Sequence, residues 1–195
     1  MEDFNSVVDK MKLHGVSLRR KNIRFRVPNA EVVFDNAMIY FLGLYGKKYQ
    51  KLKEYSGVID WLRDNECRGL FMHGSAGRGK SVIARNVIPA ILFKYCGKVV
   101  NICDLDTINT DIDQKLQCAL LTLDDIGLEP EANIYGNKRM AVYEYLDNAE
   151  KNGNILIITT NLSEHEIFEK YGLRGLDRIV STTKRVRFDG DSLRD

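Results

Sequence analysis

The stretch GSAGRGKS, residues 74–81, limits what this 195-residue chain can fold into more than any other part of the sequence. It fits the pattern G-x-x-x-x-G-K-[ST], and it lies between a short apolar run, RGLFMH, and a helix predicted from Lys80 to about Tyr95 with a kink at Pro89. Glycines let the backbone turn so that successive N–H groups face one phosphate, and the helix N-terminus adds its positive dipole end. A flexible surface loop is the alternative, which the flanking strand and helix disfavour.

A phosphate-binding loop of this kind predicts a bound nucleoside triphosphate with Mg²⁺. Lys80 would neutralise the β- and γ-phosphates, and Ser81 would be a ligand of Mg²⁺. Arg78 stands at a variable position, so we assign it no catalytic role. The residues predicted to bind the nucleotide are Gly74, Ser75, Ala76, Gly77, Arg78, Gly79, Lys80, Ser81 and Val82.

The choice of base follows from a motif that fails. Asn137-Lys138 is similar to the start of the guanine-reading NKxD sequence, but Met140 stands where the aspartate is needed. We therefore expect ATP rather than GTP.

A second motif, LLTLDDIG, is an apolar strand that ends in Asp124 and Asp125. Ligands of open α/β sheets bind at the carboxyl ends of the strands. Asp124 would hold Mg²⁺, through a water molecule, and Asp125 would orient and deprotonate the attacking water. Alternatively, the two acids only end a strand and begin a turn.

Two further polar sites follow in the last third of the chain. Asn161 ends the strand NILIITT, where its amide can hold the lytic water or a γ-phosphate oxygen; otherwise it is a turn residue before Ser163. Arg174 and Arg178 are four apart on a predicted short helix, and Arg178 is our candidate for an arginine that reaches the γ-phosphate across a subunit interface. Alternatively, both arginines are surface charges or ion-pair partners.

Charge is unevenly distributed in the first part of the chain. The net charge is only +2, yet no acid interrupts the seven basic residues between positions 10 and 26, and a second basic run covers positions 47–53. Such runs suit an anionic partner, most often nucleic acid, or they are a solvated arm. The basic residues are Lys10, Lys12, Arg19, Arg20, Lys21, Arg24 and Arg26 in the first run, and Lys47, Lys48, Lys51 and Lys53 in the second.

The remaining composition points to an ordinary reduced, cytoplasmic protein. The four cysteines form no CxxC pair, the start MEDFNSVVDK does not resemble a signal peptide, and no apolar run is long enough to cross a membrane. We expect an N-terminal basic and helical extension over residues 1–56 and an ATPase domain over residues 57–195.

From Gly69 onward, apolar strands alternate with helical segments, which predicts an α/β fold with a largely parallel sheet. Two short helices are predicted to begin at capping boxes, one at Thr110–Asp113 and one at Ser163–Glu166.

Taken together, GSAGRGKS, LLTLDDIG, ILIITTNLS, YGLRGLDRI and VRFDGDSLR resemble the AAA+ ATPases of the bacterial DnaC/DnaI-type helicase-loader and IstB-like group. The resemblance covers about residue 57 to the end. It implies a P-loop NTPase of the AAA+ (ASCE) type, a three-layer sandwich with a five-stranded parallel sheet in the order 5-1-4-3-2. It also implies Asn161 as sensor 1 and Arg178 as the arginine finger. The chain ends soon after its last strand, so we expect no C-terminal helical lid, and Arg194 could supply a late arginine to the phosphates.

The function that the resemblance implies is an ATP-hydrolysing helicase loader, which assembles through a shared ATP site and binds single-stranded DNA and a replicative helicase during replication initiation. A transposition ATPase of the IstB-like kind on duplex DNA is one alternative, and a weakly hydrolysing ATP-dependent adaptor is another. A small-molecule kinase is disfavoured because the sequence contains no acceptor-binding motif.

Overall fold

The computed structural model describes residues 3–16, 23–104, 106–129, 132–134 and 137–193. Five strands form one parallel sheet in the order β2-β3-β6-β1-β7. Counted in chain order and read from the other edge, this is 5-1-4-3-2, as predicted. The strands are β1 Gly69–Gly74, β2 Asn101–Cys103, β3 Leu120–Leu123, β6 Ile155–Thr159 and β7 Thr183–Phe188, while β4 Ala132–Ile134 and β5 Asn137–Arg139 form a separate antiparallel hairpin that we did not predict.

The central strands are apolar throughout because helices cover both faces of the sheet. Every residue of β3 and β6 is buried. The helices are α1 Phe4–Leu13, α2 Ala30–Leu44, α3 Tyr55–Arg63, α4 Lys80–Val82, α5 Ile88–Cys96, α6 Ile112–Lys115, α7 Ala141–Asn152 and α8 Glu164–Thr182. No helix in the described ranges is long and apolar enough to cross a bilayer.

The helix after the phosphate-binding loop is irregular where a kink was predicted. Its first turn, α4, passes into a π-helical stretch, Ile83–Val87, and then into α5, which carries Pro89 in its first turn. Proline has no N–H to donate to the preceding turn, so the hydrogen-bond pattern of the helix changes there.

One of the two predicted capping boxes is present. The side chain of Ser163 accepts from the backbone N–H of Glu166, and the Glu166 carboxylate accepts from the backbone N–H of Ser163. The box predicted at Thr110–Asp113 is wrong. There α6 begins after Asp111, whose backbone is left-handed at φ 47°, and the hydroxyl of Thr110 donates to the carbonyl of Thr107 instead.

The sheet separates two hydrophobic clusters. One lies between the sheet and helices α2, α3 and α5, and the other between the sheet and helices α7 and α8. Phe34 and Met38 of α2 are completely buried in the first cluster beside Leu70 and Phe188 of the sheet. The segment from Phe25 to residue 56 therefore packs into the same core as the strands. By contrast, α1 contains no buried residue.

Candidate functional site

The phosphate-binding loop joins β1 to α4 through three glycines whose backbones are left-handed. Their φ angles are +107° at Gly74, +76° at Gly77 and +89° at Gly79. A Cβ atom on Gly74 would lie 2.2 Å from the carbonyl oxygen of Phe188, and one on Gly77 would lie 2.0 Å from the hydroxyl of Ser192. Glycine is favoured at Gly74 and Gly77 by both the backbone angle and the lack of space, and at Gly79 by the backbone angle.

The buried side chain of Lys80 binds the backbone of the phosphate-binding loop. It is 6% exposed, and its Nζ donates to the carbonyl oxygens of Gly74 at 2.8 Å and Ser75 at 2.7 Å. The same Nζ donates to Oδ1 of Asn161 at 2.9 Å. The lysine and the asparagine that the sequence singled out 81 residues apart are therefore in direct contact.

Asp124 is held at the end of β3 in a buried position. It is 4% exposed, and its Oδ1 accepts a hydrogen bond of 2.6 Å from the hydroxyl of Thr159. Its Oδ2 lies 3.6 Å from the guanidinium of Arg85, which also contacts Asp104 at 3.2 Å. A carboxylate in this position can neutralise a nearby cation.

Asp125 turns the chain out of the sheet with a left-handed backbone, φ 58°, which is costly for a residue with a side chain. Its N–H donates to the hydroxyl of Thr159 at 2.7 Å, and its Oδ1 accepts from Nδ2 of Asn161 at 2.8 Å. Thr159 thus fastens both aspartates at once. Sequence reasoning missed this residue because a threonine near the end of an apolar strand carries no motif.

A cavity of about 230 Å³ lies over the loop. Small-molecule pockets usually measure roughly 300–1,000 Å³, so a nucleotide would extend beyond this cavity. Its far wall comes from the segment before α3 and from the last described residues of the chain. The lining residues outside the loop are Leu42, Tyr45, Lys47, Lys48, Gln50, Tyr55, Asp125, Thr159, Asn161 and Leu193.

This wall changes the interpretation of the second basic run. Lys47 and Lys48 line the cavity over the phosphate-binding loop, so this run is not simply a solvated arm. Lys51 is bound to Glu31 at 2.6 Å and to Asp35 at 2.9 Å. Sequence reasoning missed the wall because the run of lysines has no fixed spacing to the phosphate-binding loop.

A larger groove of about 1280 Å³ runs along the edge strand β7. Two of its basic side chains have acidic neighbours: Arg185 contacts Glu164 at 3.2 Å, and Arg187 contacts Asp189 at 3.2 Å. His73 lies in the same groove at 6% exposure, and burial lowers its pKa. The smaller cavity includes the phosphate-binding loop and Lys80 in its lining, so it is the better candidate for an anionic ligand.

Arg178 lies apart from this cavity. It is 5% exposed, donates to Asp147, and contacts Glu150 at 3.2 Å, while its guanidinium lies 5.2 Å from the ring centre of Tyr143. All three partners belong to α7. Arg174, one turn earlier on the same helix, is exposed. The geometry of Arg178 is that of the ion-pair partner that we kept as an alternative, and Arg194 lies outside the described residues.

The residues present fit Mg²⁺ with phosphate. Ser81 and Asp124 offer a hydroxyl and a carboxylate oxygen, the hard ligands that Mg²⁺ prefers, and Mg²⁺ usually takes its other ligands from water and substrate phosphates. Within the described ranges, no group of three or more His, Cys, Asp or Glu side chains could hold a metal ion unaided.

No protein-family profile matches the chain, and no curated protein matches its sequence significantly. Solved structures do match. A DnaC helicase loader superposes with a TM-score of 0.61 at 16% identity, over 80% of this chain and 98% of that one. DnaI gives 0.51 at 18% identity over 80% and 82%, and AMPPCP-bound DnaA from Aquifex aeolicus gives 0.53 at 13% over 73% and 49%. These likenesses show the fold: the chain has a P-loop fold of the AAA+ kind, similar to that of the DnaC, DnaI and DnaA structures.

Proposed function

We propose that the chain binds ATP with Mg²⁺ and hydrolyses it. The observation that carries this proposal is the side chain of Asn161, which contacts Lys80 at 2.9 Å and Asp125 at 2.8 Å. A cation for phosphate, an amide and a carboxylate thus form one connected set at the carboxyl ends of β1, β3 and β6. That edge is where open α/β sheets bind their ligands.

Each residue then has a defined task. Lys80 exchanges the carbonyl oxygens of the loop for phosphate oxygens, and Ser81 and Asp124 hold Mg²⁺, which neutralises phosphate charge when it is bound. Asn161, released by Lys80, orients the attacking water, and Asp125 accepts its proton. Thr159 keeps both aspartates in position throughout.

Assembly through a shared ATP site needs an arginine that can reach a neighbouring subunit. Arg178 would first have to leave Asp147 and Glu150, and breaking this partly exposed ion pair costs about 1–3 kcal/mol. Arg174 is exposed on the same helix, so we propose Arg174 rather than Arg178 as the residue that acts across the interface.

We further propose that this ATPase is a helicase loader acting in replication initiation, with a replicative helicase and single-stranded DNA as partners. The similar DnaC structure is described as a helicase loader. Helix α1 supports a protein partner, because Phe4 and Leu13 are more than four-fifths exposed and the helix buries nothing. A free apolar surface on a short helix is typical of partner recognition.

We expect the basic arm, residues 10–26, to contribute less to DNA binding than its sequence indicates. Arg24 and Arg26 both bind Asp64, at 2.5 and 2.8 Å, so one of their two positive charges is balanced within the chain. The DNA contact that we propose therefore depends on other basic residues of the arm, of which Arg19, Arg20 and Lys21 lie outside the described residues.

ATP turnover tests the first proposal. Phosphate release is measured for the parent and for Asp125→Asn, with Asp60→Asn as the matched control, because Asp60 is an exposed aspartate that pairs only with Arg63 among the described residues. We expect turnover to fall at least about a hundredfold in the first variant, the scale at which general bases contribute, and to stay unchanged in the second. Equal rates for all three proteins would leave nucleotide binding without hydrolysis, which is the adaptor alternative.

A pull-down with the host's replicative helicase, with and without ATP, tests the loader proposal. Leu13→Asp on α1 should abolish capture, whereas Val32→Asp, an equally polar change at an exposed position of α2, should not. A preference for duplex over single-stranded DNA would instead favour the transposition ATPase.

A further inference from the structure

The last described residues of the chain run back across the phosphate-binding loop. The N–H of Leu193 donates to the carbonyl oxygen of Gly77 at 3.1 Å, and Ser192 fills the space beside Gly77 where a side chain would otherwise stand. Leu193 also lines the cavity over the loop. We call residues 189–193 the C-terminal strap.

Arg78 connects this strap to the loop and to a third segment. It is 8% exposed; its Nε donates to Oε1 of Glu54 at 2.5 Å, and its NH1 donates to the carbonyl oxygen of Asp191 at 2.9 Å. Its own carbonyl accepts from the hydroxyl of Tyr55 at 3.2 Å. The backbone of Gly190 has φ +123°, which favours glycine, and a Cβ atom there would lie 2.8 Å from NH1 of Arg78, so a side chain at this position would displace the guanidinium.

The ion pair between Arg78 and Glu54 is desolvated. The side chain of Glu54 is 3% exposed, and among the described residues no donor reaches its second oxygen, Oε2. Without Arg78, the carboxylate would be buried with no cation beside it, and without the strap, the guanidinium would lose its second acceptor. Pairs of this kind are strongly coupled, so we expect them to be made or broken together.

We propose that Arg78 is a positioning residue that fastens the loop, Glu54 and the strap into one closed arrangement, so that nucleotide binding and strap docking are coupled. The coupling rests on the proposed ATP binding. The side chain of Arg78 is committed to Glu54 and to Asp191, and it acts on the nucleotide through the loop backbone. Because coupling between two events is reciprocal, a docked strap tightens nucleotide binding and a bound nucleotide holds the strap closed.

Hydrogen exchange of the apoprotein tests the closed arrangement without any nucleotide. The double variant Glu54→Leu/Arg78→Met removes both charges, so that neither is left buried alone. We expect the amides of residues 189–193 to exchange about tenfold faster or more, as loss of a charge-assisted hydrogen bond implies. Unchanged exchange in a folded double variant overturns the proposal. Arg78→Lys, which keeps the charge and loses the second donor, serves if the double variant does not fold.

A glycine variant perturbs the strap while leaving both charges of the ion pair in place. Gly190→Ala places a methyl group against Arg78, whereas the control Gly97→Ala also has a left-handed glycine, φ +60°, with nothing within 4 Å. Both variants carry backbone strain, but only the first displaces the strap. Faster exchange over residues 189–193 in Gly190→Ala alone supports the proposal, and equal exchange in the two overturns it.

The effect on nucleotide binding is measured with a fluorescent N-methylanthraniloyl derivative of ATP. We expect the Kd to rise about tenfold or more in the double variant and in Gly190→Ala, and to stay within about twofold in Gly97→Ala. The derivative should slow strap exchange in the parent but not in the double variant. Parental affinity in a variant whose strap exchanges freely overturns the coupling. If the parent itself binds none of the derivative, the proposed ATPase function fails. The closed arrangement of the strap is then still tested by hydrogen exchange of the apoprotein.

Discussion

Replacing Arg178 by methionine separates a structural role for this residue from a catalytic one. The guanidinium is buried against α7, where it contacts Asp147 and Glu150 and lies over the ring of Tyr143. Methionine keeps most of the aliphatic stem and removes the charge. The two carboxylates then face each other's charge without the cation that joined them.

The size of the effect follows from the exposure of the partners. Removing one member of a fully buried pair costs about 3–5 kcal/mol. Here Asp147 is 27% and Glu150 45% exposed, and Lys151 also binds Asp147, so water and a second cation reduce the loss to about 1–3 kcal/mol. The lost contact with the Tyr143 ring adds about 0.5–1 kcal/mol. We therefore expect a loss of about 1.5–4 kcal/mol, or roughly 3–16 °C in Tm for a domain of this size.

Urea and thermal unfolding of Arg178→Met and Arg174→Met give the comparison. Arg174 is exposed, and surface substitutions of this kind usually change stability by less than about 0.5 kcal/mol. Arg174→Met should instead lower the turnover of the assembled protein while leaving its unfolding unchanged. If Arg178→Met unfolds within about 0.5 kcal/mol of the parent, the buried ion pair does not stabilise the fold and our reasoning is wrong.

Three further changes have defined outcomes. Thr159→Val removes the hydroxyl that binds Asp124, so stability should fall by about 1.5–3 kcal/mol in urea unfolding and turnover by about tenfold or more. Burial lowers the pKa of His73, so as the pH falls the unfolded chain takes up a proton at this residue, near pH 6.5, before the folded chain does. Stability should therefore fall as the pH drops below about 6.5. His73→Gln should remove this dependence in urea titrations at about pH 5 and 7.5. A chain of residues 57–195 should show no cooperative thermal transition because it lacks the buried face of α2. A chain of residues 23–195 keeps α2 and lacks α1, which buries no residue, so it should unfold like the parent. A cooperative transition in the 57–195 chain would instead support the predicted domain boundary.

The sheet was predictable because its signals are local and mutually consistent. GSAGRGKS places a strand before it and a helix after it, and the fully apolar run at residues 155–158 is typical of a strand buried on both faces. The contacts among Lys80, Asp125 and Asn161 follow from that topology, since parallel strands end at one edge of the sheet. Their proximity needed no information beyond strand order.

Capping was predictable only where the motif and the backbone agree. Ser163 and Glu166 form both hydrogen bonds of their box, with Ser163 in the extended conformation that an N-cap requires. Thr110 has the same sequence pattern, but Asp111 takes a left-handed backbone and starts the helix one residue later. A four-residue helix buries too little to impose its register, so a local loop conformation decides where it begins.

Sequence reasoning did not predict the contacts of residues whose partners are distant in the chain. Arg178 was predicted as an arginine finger from the motif YGLRGLDRI and the family resemblance, and no local pattern indicates that Asp147, 31 residues earlier, binds it. Arg78 was grouped with the nucleotide ligands because it stands within the loop, yet its guanidinium joins Glu54 and Asp191, which lie 24 and 113 residues away. Arg78 stands in a loop and Arg178 on α8, and the neighbours of both are set by tertiary packing. The role of a charged residue near a motif therefore cannot be predicted from the motif alone, because it depends on which opposite charge the side chain contacts.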